Sequence, residues 1–101
     1  MKVTITEQDG RMVAALSGDL DNSVCDEVRK AIEPIIQQND KDVVIDCEEL
    51  NYISSSGLRI LLSVYNHQRT TGHRTILACM QGHVKEVLKT VGFLSFFDTE
   101  Q

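Results

Sequence analysis

The run Val43-Val44-Ile45, followed by Asp46-Cys47, constrains the fold more than any other stretch. Three consecutive branched apolar residues have no polar face to offer water, whereas a strand with one solvated face alternates apolar and polar positions. The run therefore predicts a short, central strand of a parallel sheet, buried on both faces. Parallel neighbours require crossover connections, so helices are expected on either side of it in sequence.

The flanking sequence supplies them. Lys2 to Glu7 alternates around Val3 and Ile5, Gln8-Asp9-Gly10 is a turn, and Arg11 to Ser17 is apolar again, which predicts a hairpin. Gly18-Asp19-Leu20-Asp21 reads as a loop, and Asn22 or Ser23 as the cap of a helix whose stripe is Val24, Val28, Ile32, Ile35 and Ile36. Pro34 interrupts that stripe by removing a backbone donor, and the stripe's continuation predicts a kink rather than an end near Glu33. A second helix is expected from Ser55 to Thr71, with Leu58, Leu61, Leu62 and Tyr65 inward and Gly72 as its left-handed cap. Thr75 to Met80 is the next strand, and His83 to Val91 a third helix with Val84, Val87, Leu88 and Val91 inward. Phe93 to Asp98 closes the chain as a short helix or edge strand. The order is that of an α/β domain, expected as one unit over residues 1–101: a four-stranded mixed sheet, its first strand antiparallel, with helices mainly on one face.

Composition excludes several classes. No apolar run approaches the roughly 18 residues of a membrane span, and the absence of a leader-like segment predicts a cytoplasmic protein with no membrane role. Cys25, Cys47 and Cys79 are odd in number and lack metal-ligand spacing, so they are expected as reduced, mostly buried thiols, and no metal site with His67, His73 and His83 is predicted. Residues 1–50 hold 12 acids against 5 bases, and residues 51–101 hold 3 against 5. An acidic chain without a basic cluster lacks the footprint of a nucleic-acid binder and suits a protein partner with a basic face.

The stretch Ser54-Ser55-Ser56-Gly57 falls where the central strand enters a helix, the end of an α/β sheet at which sites gather. One hydroxyl there can cap the helix, and Ser54 is placed to do so. A nucleophile elbow needs GxSxG, which is absent, and the nearest downstream histidine, His67, lies in the same helix. A phosphate-binding loop needs GK[ST], also absent. Two readings stay open: a hydroxyl-rich helix entry with no modification, and a serine modified by another enzyme, since a phosphate at a helix N-terminus is electrostatically favoured. Helical spacing puts Ser54 inward, Ser55 at the margin one turn before Arg59, and Ser56 outward.

The stretch "VVIDCEELNYISSSGLRILL", with "LSGDLDNS" before it and "ILACMQGHVKEVLKTVGFLSFF" after it, resembles a stand-alone STAS domain of the anti-sigma factor antagonist family over nearly the whole chain. The resemblance implies partner switching, with no cofactor and no chemistry by the domain itself. The unphosphorylated antagonist binds an anti-sigma factor that is also a serine kinase and so frees a sigma factor. Phosphorylation of a loop serine releases it, and a serine phosphatase restores it. On this resemblance the phosphoacceptor is Ser55, followed by Ser56, Gly57 and Leu58, and the partner-contacting acidic loop is represented by Asp19 and Asp21. Ser54, Ser55, Ser56, Gly57, Leu58 and Arg59 form the rest of the expected partner-binding surface.

One position departs from that pattern. The aspartate that usually precedes the acceptor is Ser54 here, which keeps a cap and removes a negative charge. Soluble STAS domains also resemble accessory subunits of ABC-type lipid transport complexes, where the loop need not be phosphorylated. The exchange at position 54 leaves room for that alternative.

Overall fold

The computed structural model describes residues 1–100. Asp9 and Gly10 both take positive φ, 55° and 76°, the mirror-image turn that matches strand twist. They fold β1 (Lys2–Gln8) back on β2 (Arg11–Leu20) with Gln8 opposite Arg11. β2 runs past Ser17 to Leu20, so the expected loop at residues 18–21 is mostly strand. Gly18, at φ 111°, absorbs an irregularity in the ladder there, and its polar neighbours give the segment the look of a turn.

Asp21, rather than Asn22 or Ser23, is the capping side chain, and it caps a 3-10 turn at Asn22–Val24, accepting from the Ser23 amide at 2.9 Å. This turn leads into α1 (Cys25–Ala31), and α2 (Glu33–Gln37) begins after a break at Ile32. Pro34 falls in the first turn of α2, where a missing N–H leaves no partner wanting. The chain therefore breaks and restarts where a kink was expected, and the stripe Val28, Ile32, Ile35 stays buried across the break.

β3 (Val43–Ile53) lies between β2 and β4 (Thr75–Ala78), parallel to both, and Val43, Val44 and Ile45 are buried as the apolar run required. α3 (Ser55–Thr71) joins them and ends at Gly72, φ 78°. β4 stops before Cys79, which adopts a left-handed φ of 58°, and α4 (Gly82–Thr90) comes next. Val84 and Leu88 of α4 are buried, whereas Val87 and Val91, expected inward, are exposed. Its inward stripe is thus one residue wide per turn.

The sheet has five strands, not four, in the order β1-β2-β3-β4-β5. The fifth, β5 (Asp98–Glu100), runs parallel to β4 after a 3-10 turn at Leu94–Phe96. Its three side chains are polar and exposed, and aspartate and glutamate are poor strand formers. Backbone pairing to β4 and the buried Phe97 just before it hold it in place.

One core cluster combines residues of all four helices with Ala14, Leu16, Val43, Ile45, Cys47 and Leu77, so the helices cover one face. The other face holds only a narrow apolar strip, Val13, Val44, Ile76 and Ala78. Arg11 of β2 meets Glu100 of β5 at 2.9 Å, and Arg74 pairs with Asp98. Exposed pairs of this kind add little Coulomb energy, but arginine stems can shield apolar surface.

At the opposite end of the strands from the serines, Gln68 of α3 is fully buried. Its Nε2 donates to Lys41 O at 2.8 Å and Arg74 O at 3.1 Å, and its Oε1 accepts from Gln38 at 3.1 Å. It thereby ties α3 to the loops that enter β3 and β4. Gln68→Leu removes three hydrogen bonds made by a fully buried side chain, so at about 0.5–1.5 kcal/mol each it is expected to lower stability by about 2–4 kcal/mol, read as a shifted urea midpoint at unchanged slope. A wild-type midpoint would contradict this accounting.

Candidate functional site

β2 and β3 finish together, with Leu20 opposite Ile53. The next residue, Ser54, is still extended, and its N–H donates to Leu20 O at 2.9 Å. Ser54 Oγ accepts from the Gly57 amide at 3.1 Å, which satisfies one of the unpartnered donors at the start of α3. The expected cap is in place, and at 9% exposure it is hidden from solvent.

Gly57 is glycine because of a close approach. A Cβ there would stand 2.7 Å from Leu20 Cγ and 3.0 Å from Leu20 O, inside the contact limit of a side chain and a backbone oxygen. The start of α3 thus lies directly on the end of β2. Leu20 is itself fully buried, while Asp19 on one side of it is exposed and Asp21 on the other is half-buried. The acidic segment and the serine segment are joined through this one leucine.

Ser55 is exposed and Ser56 half-buried, the reverse of the expected order. The buried face of α3 is Gly57, Leu58, Ile60, Leu61, Val64 and Gln68, while Leu62 and Tyr65 are only partly covered. That face is rotated from the assumed stripe, so Ser56 stands one turn before buried Ile60. Ser55 stands one turn before exposed Arg59. Leu58 is buried and holds the helix start to the core.

The electrostatics of the two segments are opposite. The first turn of α3 has no acidic residue, so the positive end of its dipole is uncompensated within the helix. The Asp21 carboxyl is held below the usual carboxylate range by the Ser23 hydroxyl, at 2.6 Å, and by the Ser23 amide. It is a fixed negative charge at neutral pH.

Sequence reasoning missed Tyr52, which is 50% exposed and in register with Asp19. Its signal was the spacing of buried Leu50 and Ile53, three apart where a regular strand would place them two or four apart. It also missed the grouping of Asp46, Glu48 and Cys79, whose donor atoms lie within 4.8 Å of one another. Cys25 and Cys47 are buried free thiols as expected, but Cys79 is exposed. Burial first, then Asp46 and Cys79 nearby, pushes the Cys47 thiol up to about 12. The three histidines contact Gln38 O, Asp42 and Asn51 O.

These features define an α/β domain with a hydroxyl-bearing helix entry next to an acidic strand end. The STAS domain family model matches residues 2–101, and the chain belongs to that family. It is 33% identical over 97 residues to BtrV of Bordetella bronchiseptica, a proposed anti-sigma factor antagonist, covering 96% of this chain and 84% of that protein. The solved anti-sigma factor antagonist SpoIIAA, in its unphosphorylated form, superposes with a TM-score of 0.81 at 22% identity, over 99% of this chain and 89% of its own. An anti-sigma-factor antagonist STAS protein from Planctomyces limnophilus superposes with a TM-score of 0.89 at 13% identity, over 98% and 89% of the two chains. Among the described residues, no helix is long and apolar enough to cross a membrane.

Gly57→Ala tests the contact that assembles the site. Overpacking against Leu20 is expected to cost about 1–3 kcal/mol. In a Leu20→Ala background, where the opposing Cγ is gone, the same change is expected to cost clearly less, measured by urea unfolding of the double-mutant cycle. Equal costs in both backgrounds would remove Leu20 as the reason for the glycine.

Proposed function

We propose that the chain is an anti-sigma factor antagonist that acts by partner switching, with Ser55 as the residue phosphorylated. The observation that carries this reading is the placement of Ser55: the first residue of a 17-residue helix, exposed, and joined through Ser54 and Leu20 to Asp19 and Asp21. The name of the Bordetella relative supports it. So does the existence of SpoIIAA, a Bacillus cell fate determinant of the same fold, in a phosphorylated form.

In the unphosphorylated state Asp19, Asp21, Ser55, Ser56 and Arg59 bind an anti-sigma factor with serine kinase activity, and a sigma factor is released; Ser54, Gly57 and Leu58, expected in the same surface, are buried and only hold it in place. The kinase transfers the γ-phosphoryl group of ATP to Ser55 Oγ, whose proton is lost. The phosphate then lies at the positive end of α3, with no carboxylate in the helix's first turn to repel it. Arg59, exposed one turn on, is a charge partner for it. The domain keeps its fold because the buried cap is Ser54, not Ser55. The partner loses its fit because a surface complementary to a neutral hydroxyl meets a dianion. A serine phosphatase returns the domain to its binding form. All of this belongs in the cytoplasm and involves no nucleic acid, membrane or metal contact by the domain itself.

The serine at position 54 also favours a second reading, an accessory subunit of an ABC-type lipid transport complex in which the loop is a contact surface only. Neighbouring genes for a kinase or sigma factor, against genes for transporter subunits, separate the two.

The main test uses Ser55→Ala and Ser55→Glu as baits in lysate of the native host, with captured proteins identified by mass spectrometry. Ser55→Ala is expected to retain an ATP-binding serine kinase. Ser55→Glu is expected to lose it by roughly 100-fold or more, as several kcal/mol of interface repulsion would require. Equal retention by both would sink the proposal, and capture of transporter subunits by both would favour the second reading.

A further inference from the structure

β3 outruns β4. The ladder between them ends at Asp46 and Ala78, yet β3 continues to Ile53 alongside β2. This overhang is the arm that delivers the chain to Ser54 and Ser55.

Its pairing to β2 is interrupted at two places. Between the pairs Ala15–Asp46 and Ser17–Glu49, β3 advances one residue more than β2, and it does so again between Gly18–Leu50 and Asp19–Tyr52. The extra residues are bulges, and a bulged residue has no ladder partner for its backbone groups. Glu48 lies in the first interruption, and Asn51 is the extra residue of the second.

Two side chains at the start of α4 supply what the ladders lack. Cys79, in its left-handed conformation, turns the chain away from the sheet, and Gln81 and His83 come back beside the overhang. Gln81 Nε2 donates to Glu48 O at 3.1 Å and to Asn51 Oδ1 at 2.9 Å. His83 Nε2 makes a short hydrogen bond to Asn51 O. Since a carbonyl only accepts, that ring nitrogen carries the hydrogen. The carbonyls bonded by these side chains are those of residues that the β2 ladder leaves out.

We propose that Gln81 and His83 are positioning residues that fix the bulged end of β3 and thereby set how Ser55 and its neighbour Tyr52 are presented to a partner. Nothing else among the described hydrogen bonds reaches the overhang from the α4 side. Without them two carbonyls turn to solvent, and the arm is held along one edge only. Bulges re-aim side chains, and here the second one turns Tyr52 outward while Ile53 goes into the core. The biological role of this arrangement rests on the reading of Ser55 given above, but the mechanical claim does not.

The test compares wild type with Gln81→Leu/His83→Leu and with His83→Gln, which keeps a donor of similar reach. Amide hydrogen exchange followed by mass spectrometry needs no partner. In the double variant, exchange over residues 49–54 is expected to accelerate about 10-fold or more, as sub-global opening allows, while residues 43–46 keep their wild-type rate. His83→Gln is expected to stay near wild type. Unchanged exchange over 49–54, or an equal rise over 43–46, would overturn the proposal. A second readout is phosphate incorporation at Ser55 from ATP in host lysate. It should fall in the double variant and recover in His83→Gln, and unaltered incorporation despite a loosened arm would overturn the positioning role. If wild type itself incorporates no phosphate, the reading of Ser55 fails and the exchange result alone decides the mechanical claim.

Discussion

The structure depends on a contact between a residue without a side chain and a fully buried leucine. Gly57 lies against Leu20 so closely that a single added carbon would overlap it. The Ser54 N–H to Leu20 O bond fixes the same junction from the backbone side. Together they dock the first turn of α3 on the last residue of β2. Without this docking, Asp19 and Asp21 would belong to one part of the surface and Ser55 to another. With it, two negative side chains and the positive end of a helix dipole are held side by side.

The same junction bears on position 54, where the family resemblance implies an aspartate and this chain has a serine. A cap must accept from an amide of the first turn, and a hydroxyl does so as well as a carboxylate. Ser54 is nearly buried, and a carboxylate there would carry a desolvation cost that a neutral hydroxyl avoids. The acidic groups at this junction are instead Asp19 and Asp21, the latter's carboxyl held below the usual range by the Ser23 hydroxyl and amide. The first turn of α3 itself then holds no acidic residue.

Much of this was legible in the residues. Val43-Val44-Ile45 announced a central strand because no other element tolerates three consecutive branched apolar residues so well. Gly72 marked the end of α3, and Asp9-Gly10 the hairpin, because both require left-handed backbone. The serine segment was legible through its surplus of hydroxyls over what one cap requires. β5 was not legible, because Asp98-Thr99-Glu100 is held by backbone pairing while its side chains face solvent. Gly18 and its acidic neighbours disguised the end of β2 as a turn. The helix face was misjudged because Leu58, Ile60, Leu61, Leu62, Val64 and Tyr65 are all apolar, so a stripe through Leu62 and Tyr65 fits helical spacing as well as the buried one through Ile60, Val64 and Gln68. The rotation between the two stripes is what exchanged the apparent exposures of Ser55 and Ser56. The bulges at Glu48 and Asn51 depend on register with β2, which no local pattern encodes.

The central claim is that Ser55 is the point at which this domain is switched. The most direct measurement is intact mass and site-mapped fragmentation of the protein purified from its native host under phosphatase inhibition. The account predicts a population heavier by one phosphate, with the modification on Ser55 alone. A phosphate confined to Ser56 or to any other residue, or no phosphorylated population under any growth condition, would contradict it.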